Sequence, residues 1–268
     1  MARANRHYIP GYVWHLTHRC HQKESLLKFS RDRKRWIEWL FEAKKRYGLT
    51  VLNYMVTSNH VHLLVYDNHG REAIPKSIQL IAGRTGQEYN LRKLRKGAFW
   101  EDRYHATAIE KGSHLKRCLV YIDLNMARAG VVDHPQLWPF CGYNEIQNPP
   151  KRYRIIDLDS LTRLLGISNL NDFQSAHRRW VAAYLSKGKI ERESNWTQSI
   201  AVGGKAFVEK IKKTLGFRAK GRAITGEKGH YQLRENIAIF GNSSVHESDP
   251  DAQPWVEMEN IFFWNDAS

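Results

Sequence analysis

Two groups of side chains in this sequence could carry chemistry. His60 and His62 stand two apart in the string HVHLLVY (60–66), a run of strand-forming residues. Side chains at i and i+2 of a strand share one face. Two adjacent imidazoles offer a pair of ligands for a metal ion; otherwise they are polar histidines facing solvent or a helix. Tyr121 and Asn125 are four apart in a run of helical spacing, so they lie one above the other. Arg117 and Arg128 stand four before and seven after Tyr121, on the same stripe. A phenol, an amide oxygen and two guanidiniums can then look into one basic cleft. The plainer reading makes Tyr121 an amphipathic boundary residue and Asn125 a solvated one.

The elements that must position these groups follow from periodicity and punctuation. YVWHLTH predicts a strand over Tyr12–His18. Ser30 caps a helix to about Tyr47, along which Trp36, Ile37, Leu40, Phe41 and Lys44 keep the 3.6 period until Gly48 closes it. Thr50–Val56 and His60–Tyr66 read as a hairpin around Thr57-Ser58-Asn59. A helix runs from Pro75 to about Arg95, with Gly97 beyond it. A strand lies in RYHATAIE, and Ser113 caps a helix running to about Ala129, stopped by Gly130, with Leu115, Leu119, Ile122 and Met126 as its apolar stripe. The order β-α-β-β-α-β-α describes an α+β fold, a small antiparallel sheet backed by helices. Beyond the prolines at 135, 139, 149 and 150, the segments Asp157–Leu165, Leu170–Leu185 and Lys205–Leu215 read as helices. GFRAKGRAITGEKG (216–229) reads as a basic, glycine-rich loop.

Charge narrows the partner. The chain of 268 residues carries a formal +15, and 42% of its residues are hydrophobic, enough for a packed core. Residues 1–150 hold 24 basic and 13 acidic side chains, residues 151–229 hold 17 and 7, and residues 230–268 hold 1 and 7. So large a surplus over the first 229 residues points to a polyanion, because each cation set on a phosphate releases condensed counterions. The same stretch holds most of the tyrosines and tryptophans, on which unstacked bases can lie. No apolar run is long enough for a membrane span, and the first residues lack the apolar segment of a secretion signal. Cys20, Cys118 and Cys141 form no CxxC pair and read as ordinary thiols of a reducing cytoplasm. There is no P-loop, no GxGxxG, and no serine with visible triad partners.

The strings TSNHVHLLV (57–65), FWEDRYHA (99–106) and YIDLNMARAGVV (121–132) together resemble the single-tyrosine HUH transposases, above all the REP-associated tyrosine transposases and their insertion-sequence relatives. The resemblance spans roughly residues 8–146. Ser58 stands where the family commonly has Pro, and Asp123 where it commonly has His; Asp123 is expected to add a negative charge near a phosphate site. The resemblance implies a ferredoxin-like core. It assigns His60, His62 and Asn125 as metal ligands, Tyr121 as nucleophile, and Mg²⁺ or Mn²⁺ as the ion, although ligand softness alone allows Zn²⁺ equally.

The expected domains are a catalytic domain over 1–150, a basic, mainly helical DNA-binding extension over 151–229 and an acidic tail over 230–268. Arg117, Arg128, Arg103 and Arg84 are candidates for phosphate contact. So are Lys212, Lys213, Arg218, Lys220 and Arg222 of the extension. Trp100, Tyr104 and His105 are candidates for base contact or for core. By resemblance the activity is metal-dependent nicking and joining of single-stranded DNA through a 5′-phosphotyrosine. The expected partner is DNA carrying palindromic hairpin repeats, with neither membrane nor nucleotide cofactor. The expected state is a monomer or homodimer in the cytoplasm, on the nucleoid when bound. Two other classes fit parts of the pattern: a non-catalytic, structure-specific DNA-binding protein, and a Zn²⁺ hydrolase built on His60 and His62.

Overall fold

The first seven elements of the computed structural model follow the predicted order, and the hairpin strands match to the residue. The structure describes residues 9–68, 72–188 and 191–235. Strand β1 (Val13–Arg19) leads to helix α1 (Ser30–Tyr47), then to β2 (Thr50–Val56), β3 (His60–Tyr66), α2 (Ala73–Lys93), β4 (His105–Ile109) and α3 (Ser113–Asp123). Strand order β2-β3-β1-β4 is antiparallel throughout, which is the ferredoxin-like arrangement. Alternation along the strands gives the sheet two faces. Leu16, Val61 and Leu63 meet Trp36 of α1 and Ile78 and Ile81 of α2 on one face. His15, Thr17 and His62 share the other, since Thr17 pairs directly with His62.

Helix α3 covers that second face. Its predicted apolar stripe is buried, but so is nearly everything else from His114 to Asp123. The reason lies in the second half of the chain. Helices α6 (Leu158–Leu165) and α7 (Leu170–Leu185) pack on the outside of α3, leaving it between two layers. The short helices α4 (Asn125–Arg128) and α5 (Gly142–Gln147) precede them.

Several expectations need correction here. The helix predicted from Ser113 to about Ala129 breaks at Leu124, whose ψ of 4° opens the turn between α3 and α4. The bonds Leu124 N–Val120 O and Arg128 N–Leu124 O carry the axis across, so Tyr121 and Asn125 stay one turn apart. Ser30 and Ser113 are the first helical residues, not side-chain caps. The stretch read as a loop over 216–229 contains strand β6 (Arg222–Glu227), paired with β7 (His230–Glu235). The tail expected from 230 therefore begins with six residues of sheet; from 236 onward it lies outside the described residues. With helix α8 (Asn195–Gln198), strand β5 (Ala201–Gly203) and helix α9 (Lys205–Leu215), these elements lengthen the sheet to β2-β3-β1-β4-β5-β7-β6 among the described residues. Strand β5 runs parallel to β4. The described residues on both sides of the expected boundary near 150 fall in one compact unit.

Gly142 packs tightly against β2 and the segment before α6. A Cβ there would lie 2.2 Å from Asn53 Oδ1 and 2.7 Å from Ile156 Cδ1. Gly142→Ala is expected to lower stability by about 1–3 kcal/mol through overpacking, read as a lowered urea midpoint at unchanged slope.

Candidate active site

The two histidines of β3 sit on the face that α3 covers. His62 is buried, and its ring centre lies 5.0 Å from that of His60. Asn125 Nδ2 lies 3.0 Å from His62 Nε2. The ring of Tyr121, itself only 6% exposed, stands edge-on to His62 at 6.0 Å between centres. The Arg128 guanidinium carbon lies 4.3 Å above the Tyr121 ring. His60, His62, Tyr121, Asn125 and Arg128 are thus brought together by β3 and by the turn joining α3 to α4.

Both imidazoles are set up to be uncharged. Burial, with the positive charges of Arg19, Arg192 and Arg128, pushes His60 down to about 3. Burial also drives His62 well below the usual histidine range, helped by the neighbouring histidines and by Arg128 and Arg192. A neutral imidazole is the form that ligates a metal. His60 Nδ1 donates to Asn59 Oδ1 at 2.7 Å, which leaves Nε2 bare. Among the described residues no cluster of three or more His, Cys, Asp and Glu side chains could hold an ion. An ion held by His60 and His62 could take the Asn125 oxygen as a third ligand only with that amide turned from its present orientation, in which Nδ2 faces His62. That donor set fits a divalent ion and leaves positions open for oxygen ligands.

Burial raises the ionisation of Tyr121 above the usual tyrosine value, while Arg128 and Arg192 pull it back. Arg192 was not among the residues singled out from the sequence. It is exposed in the segment before α8, and its charge acts on His60, His62, Tyr121 and Arg128 alike. No periodicity in GKIERESNW could have marked it. His15 was also missed; it is buried against His62 with Nε2 to Nδ1 at 2.9 Å. The alternation of YVWHLTH does put His15 and Thr17 on one face, but not beside His62 until the register of β1 on β3 is known.

The remaining candidates lie apart from this cluster. Arg117, half-buried, pairs with Glu193 at 3.1 Å and lies over the Trp196 ring. Arg84 lies over Trp39 in the α1–α2 layer, across the sheet from the histidines. Arg103 is exposed in the turn before β4. Lys213, Arg218 and Lys220 are exposed on α9 and the turn after it, and Lys212 and Arg222 are half-buried. They border the β5-β7-β6 half of the sheet, against which α9 packs. Phe217, 84% exposed, lies among them with the Lys220 ammonium 5.3 Å from its ring centre. Trp100 and Tyr104 serve the fold. Trp100 stacks on His18 at 4.0 Å between centres and donates to the Ala82 carbonyl, and Tyr104 is buried. His105 bonds the Ser199 carbonyl.

Asp123 departs most from expectation. It is fully buried, facing α7 and β2. Its Oδ2 accepts from His177 Nε2 of α7 at 2.7 Å, and its Oδ1 from Asn53 Nδ2 of β2 at 2.9 Å. The three cysteines are free and buried, and burial pushes Cys20 and Cys141 up to about 12, far from reactive thiolates.

Against known proteins, residues 9–125 match the family model described as IS200-like transposase. The matched segment is similar to that family over less than half of the chain. It contains β1 through the Tyr121–Asn125 pair, the elements that build the cluster above. No curated protein matches the chain. Among solved structures, a REP-associated tyrosine transposase bound to a REP hairpin is 19% identical with a TM-score of 0.46; the match covers 54% of this chain and 84% of that one. A candidate transposase from Deinococcus radiodurans is 17% identical with a TM-score of 0.31, over 39% of this chain and 84% of that one. No helix among the described residues is long and apolar enough to cross a membrane.

Proposed function

We propose that the chain is a metal-dependent endonuclease and strand transferase acting on single-stranded DNA through a 5′-phosphotyrosine at Tyr121. The observation that carries this reading is the Tyr121 ring 6.0 Å from His62, with Asn125 on the same imidazole. His60, His62 and Asn125 would hold Mg²⁺ or Mn²⁺. Such an ion withdraws charge from a non-bridging phosphate oxygen and orients the diester for in-line attack.

The chain's own residues do the rest. His60 and His62, kept neutral by burial, offer lone pairs rather than protons. Arg128 lies against the phenol and favours its ionised form, as does Arg192. The phenol gives its proton to water; attack by the phenolate forms a tyrosine–phosphate bond and breaks the bond to the 3′ oxygen, which takes a proton from water and leaves as a hydroxyl. The phosphoester is conserved, so a second 3′-hydroxyl can reverse the step onto another strand without ATP. The sequence resemblance to REP-associated transposases favours hairpin repeats as substrate. The exposed Lys213, Arg218 and Lys220 would extend the footprint along the DNA backbone. Such a substrate places the protein on the nucleoid, as a monomer or homodimer.

Incubation of the full chain with a labelled repeat hairpin and Mn²⁺ is expected to give a protein–DNA adduct that survives denaturation. Binding with no adduct from any repeat-bearing strand would return the chain to the non-catalytic DNA-binding class. Asn125→Ala is expected to cut adduct formation and raise the Mn²⁺ concentration needed by about 10–100-fold, with DNA affinity changed far less. Equal loss of both in a titration would make Asn125 a structural residue.

A further inference from the structure

We propose that His15 is a positioning residue that fixes the ring of His62 with Nδ1 protonated and the Nε2 lone pair turned toward Asn125 and the cation. The inference rests on the metal reading above and extends it to a residue outside the ligand set.

The argument is one of donors and acceptors. His15 Nδ1 lies 2.9 Å from the Trp196 carbonyl oxygen. A carbonyl only accepts, so the proton of His15 is on Nδ1. In the neutral ring Nε2 is then bare, and it lies 2.9 Å from His62 Nδ1. His62 must therefore carry its proton on Nδ1, and its own Nε2 is the atom with a lone pair to offer a cation. Asn125 Nδ2, a donor, stands 3.0 Å from that Nε2. The chain of bonds runs in one direction from Asn125 through His62 and His15 to the Trp196 carbonyl. Thr107 does not compete for that carbonyl, because its hydroxyl has the shorter bond to Ser199 O, 2.6 Å against 3.2 Å. His15 is wholly buried. Outer partners of this kind fix the tautomer of a ligating histidine and raise its basicity.

The chain ends on Trp196, in α8 of the extension. A backbone carbonyl supplied some 180 residues from His15 thus sets the orientation of a proposed metal ligand. The extension accordingly contributes to the proposed metal site as well as to DNA contact.

The test uses the full chain and Mn²⁺ alone. Nitrogen-15 spectra of the metal-free protein, assigned with a His62→Gln variant, are expected to show His62 Nε2 unprotonated and Nδ1 protonated. His15→Phe, which removes the acceptor, is expected to weaken Mn²⁺ binding by about 10–100-fold. His15→Gln, whose amide oxygen can accept from His62, is expected to recover most of that loss. A metal-free His62 protonated on Nε2 would overturn the proposal. So would a folded His15→Phe that binds Mn²⁺ as the parent does, or a His15→Gln variant no better than His15→Phe. Failure of the parent chain to bind Mn²⁺ would overturn the metal reading and this inference with it. The two failures are distinguishable, because a wrong tautomer leaves Mn²⁺ binding by the parent intact.

Discussion

Tyr121→Phe is expected to bind Mn²⁺ and hairpin DNA as the parent protein does and to form no covalent adduct. Single-turnover cleavage should fall by about 10⁴-fold or more, the scale on which loss of a nucleophile acts. The substitution is clean for a structural reason. The Tyr121 ring is fixed by contacts that Phe preserves: His62 and His15 at its edges, Trp196 at 6.2 Å and Arg128 across its face. Only the oxygen is lost. The pH dependence of the parent has a defined sign. Burial holds the phenol's ionisation above the ordinary tyrosine value, so at neutral pH it is protonated. The phenolate fraction, and with it the cleavage rate, rises as pH is raised toward that value. Residual adduct in Tyr121→Phe, mapped by peptide sequencing to another residue, would move the nucleophile elsewhere.

The parts of this site that could be read from the sequence are those set by local spacing. His60 and His62 share a face because strand period is two, and Tyr121 and Asn125 stack because helix period is near four; the break at Leu124 did not separate them. What stayed hidden depends on contacts distant in sequence. His15 gains its meaning from the pairing of β1 with β3, and Asp123 from His177, 54 residues away. Strands β5 to β7 escaped for another reason. Three residues, Ala201–Gly203, carry no usable alternation, and β6 is an edge strand bearing Arg222, Thr225 and Glu227. Charges and glycine on an edge look like a loop in sequence, and they are also what protects an edge from further pairing. The expected division near residue 150 reflected the prolines there. Burial of α3 under α6 and α7 had no signal within α3 itself.

That burial sets Asp123 in the contact between α3 and its neighbours. Its carboxylate lies in the interior with two donors, His177 Nε2 and Asn53 Nδ2. Gln147 fixes the far side of the His177 ring, with Nε2 2.9 Å from Nδ1, and the Gln147 amide is itself oriented by Arg178 at 2.6 Å. Helices α3, α5 and α7 and strand β2 thus meet at one carboxylate. His177→Leu strands a buried charge with one donor, and is expected to cost about 3–5 kcal/mol, seen as a fall in urea midpoint. Asp123→Leu orphans His177 and Asn53 and should cost a comparable amount. The double variant Asp123→Leu with His177→Leu is expected to lose less than the two single losses combined, because it leaves neither partner stranded. The site supplies a second readout. The pair holds α3 by the residue two before Asn125, so His177→Leu should lower Mn²⁺ affinity together with stability. Full additivity in the double variant would show that the two residues act separately, and the bond between them would then not be what holds the catalytic helix against the extension.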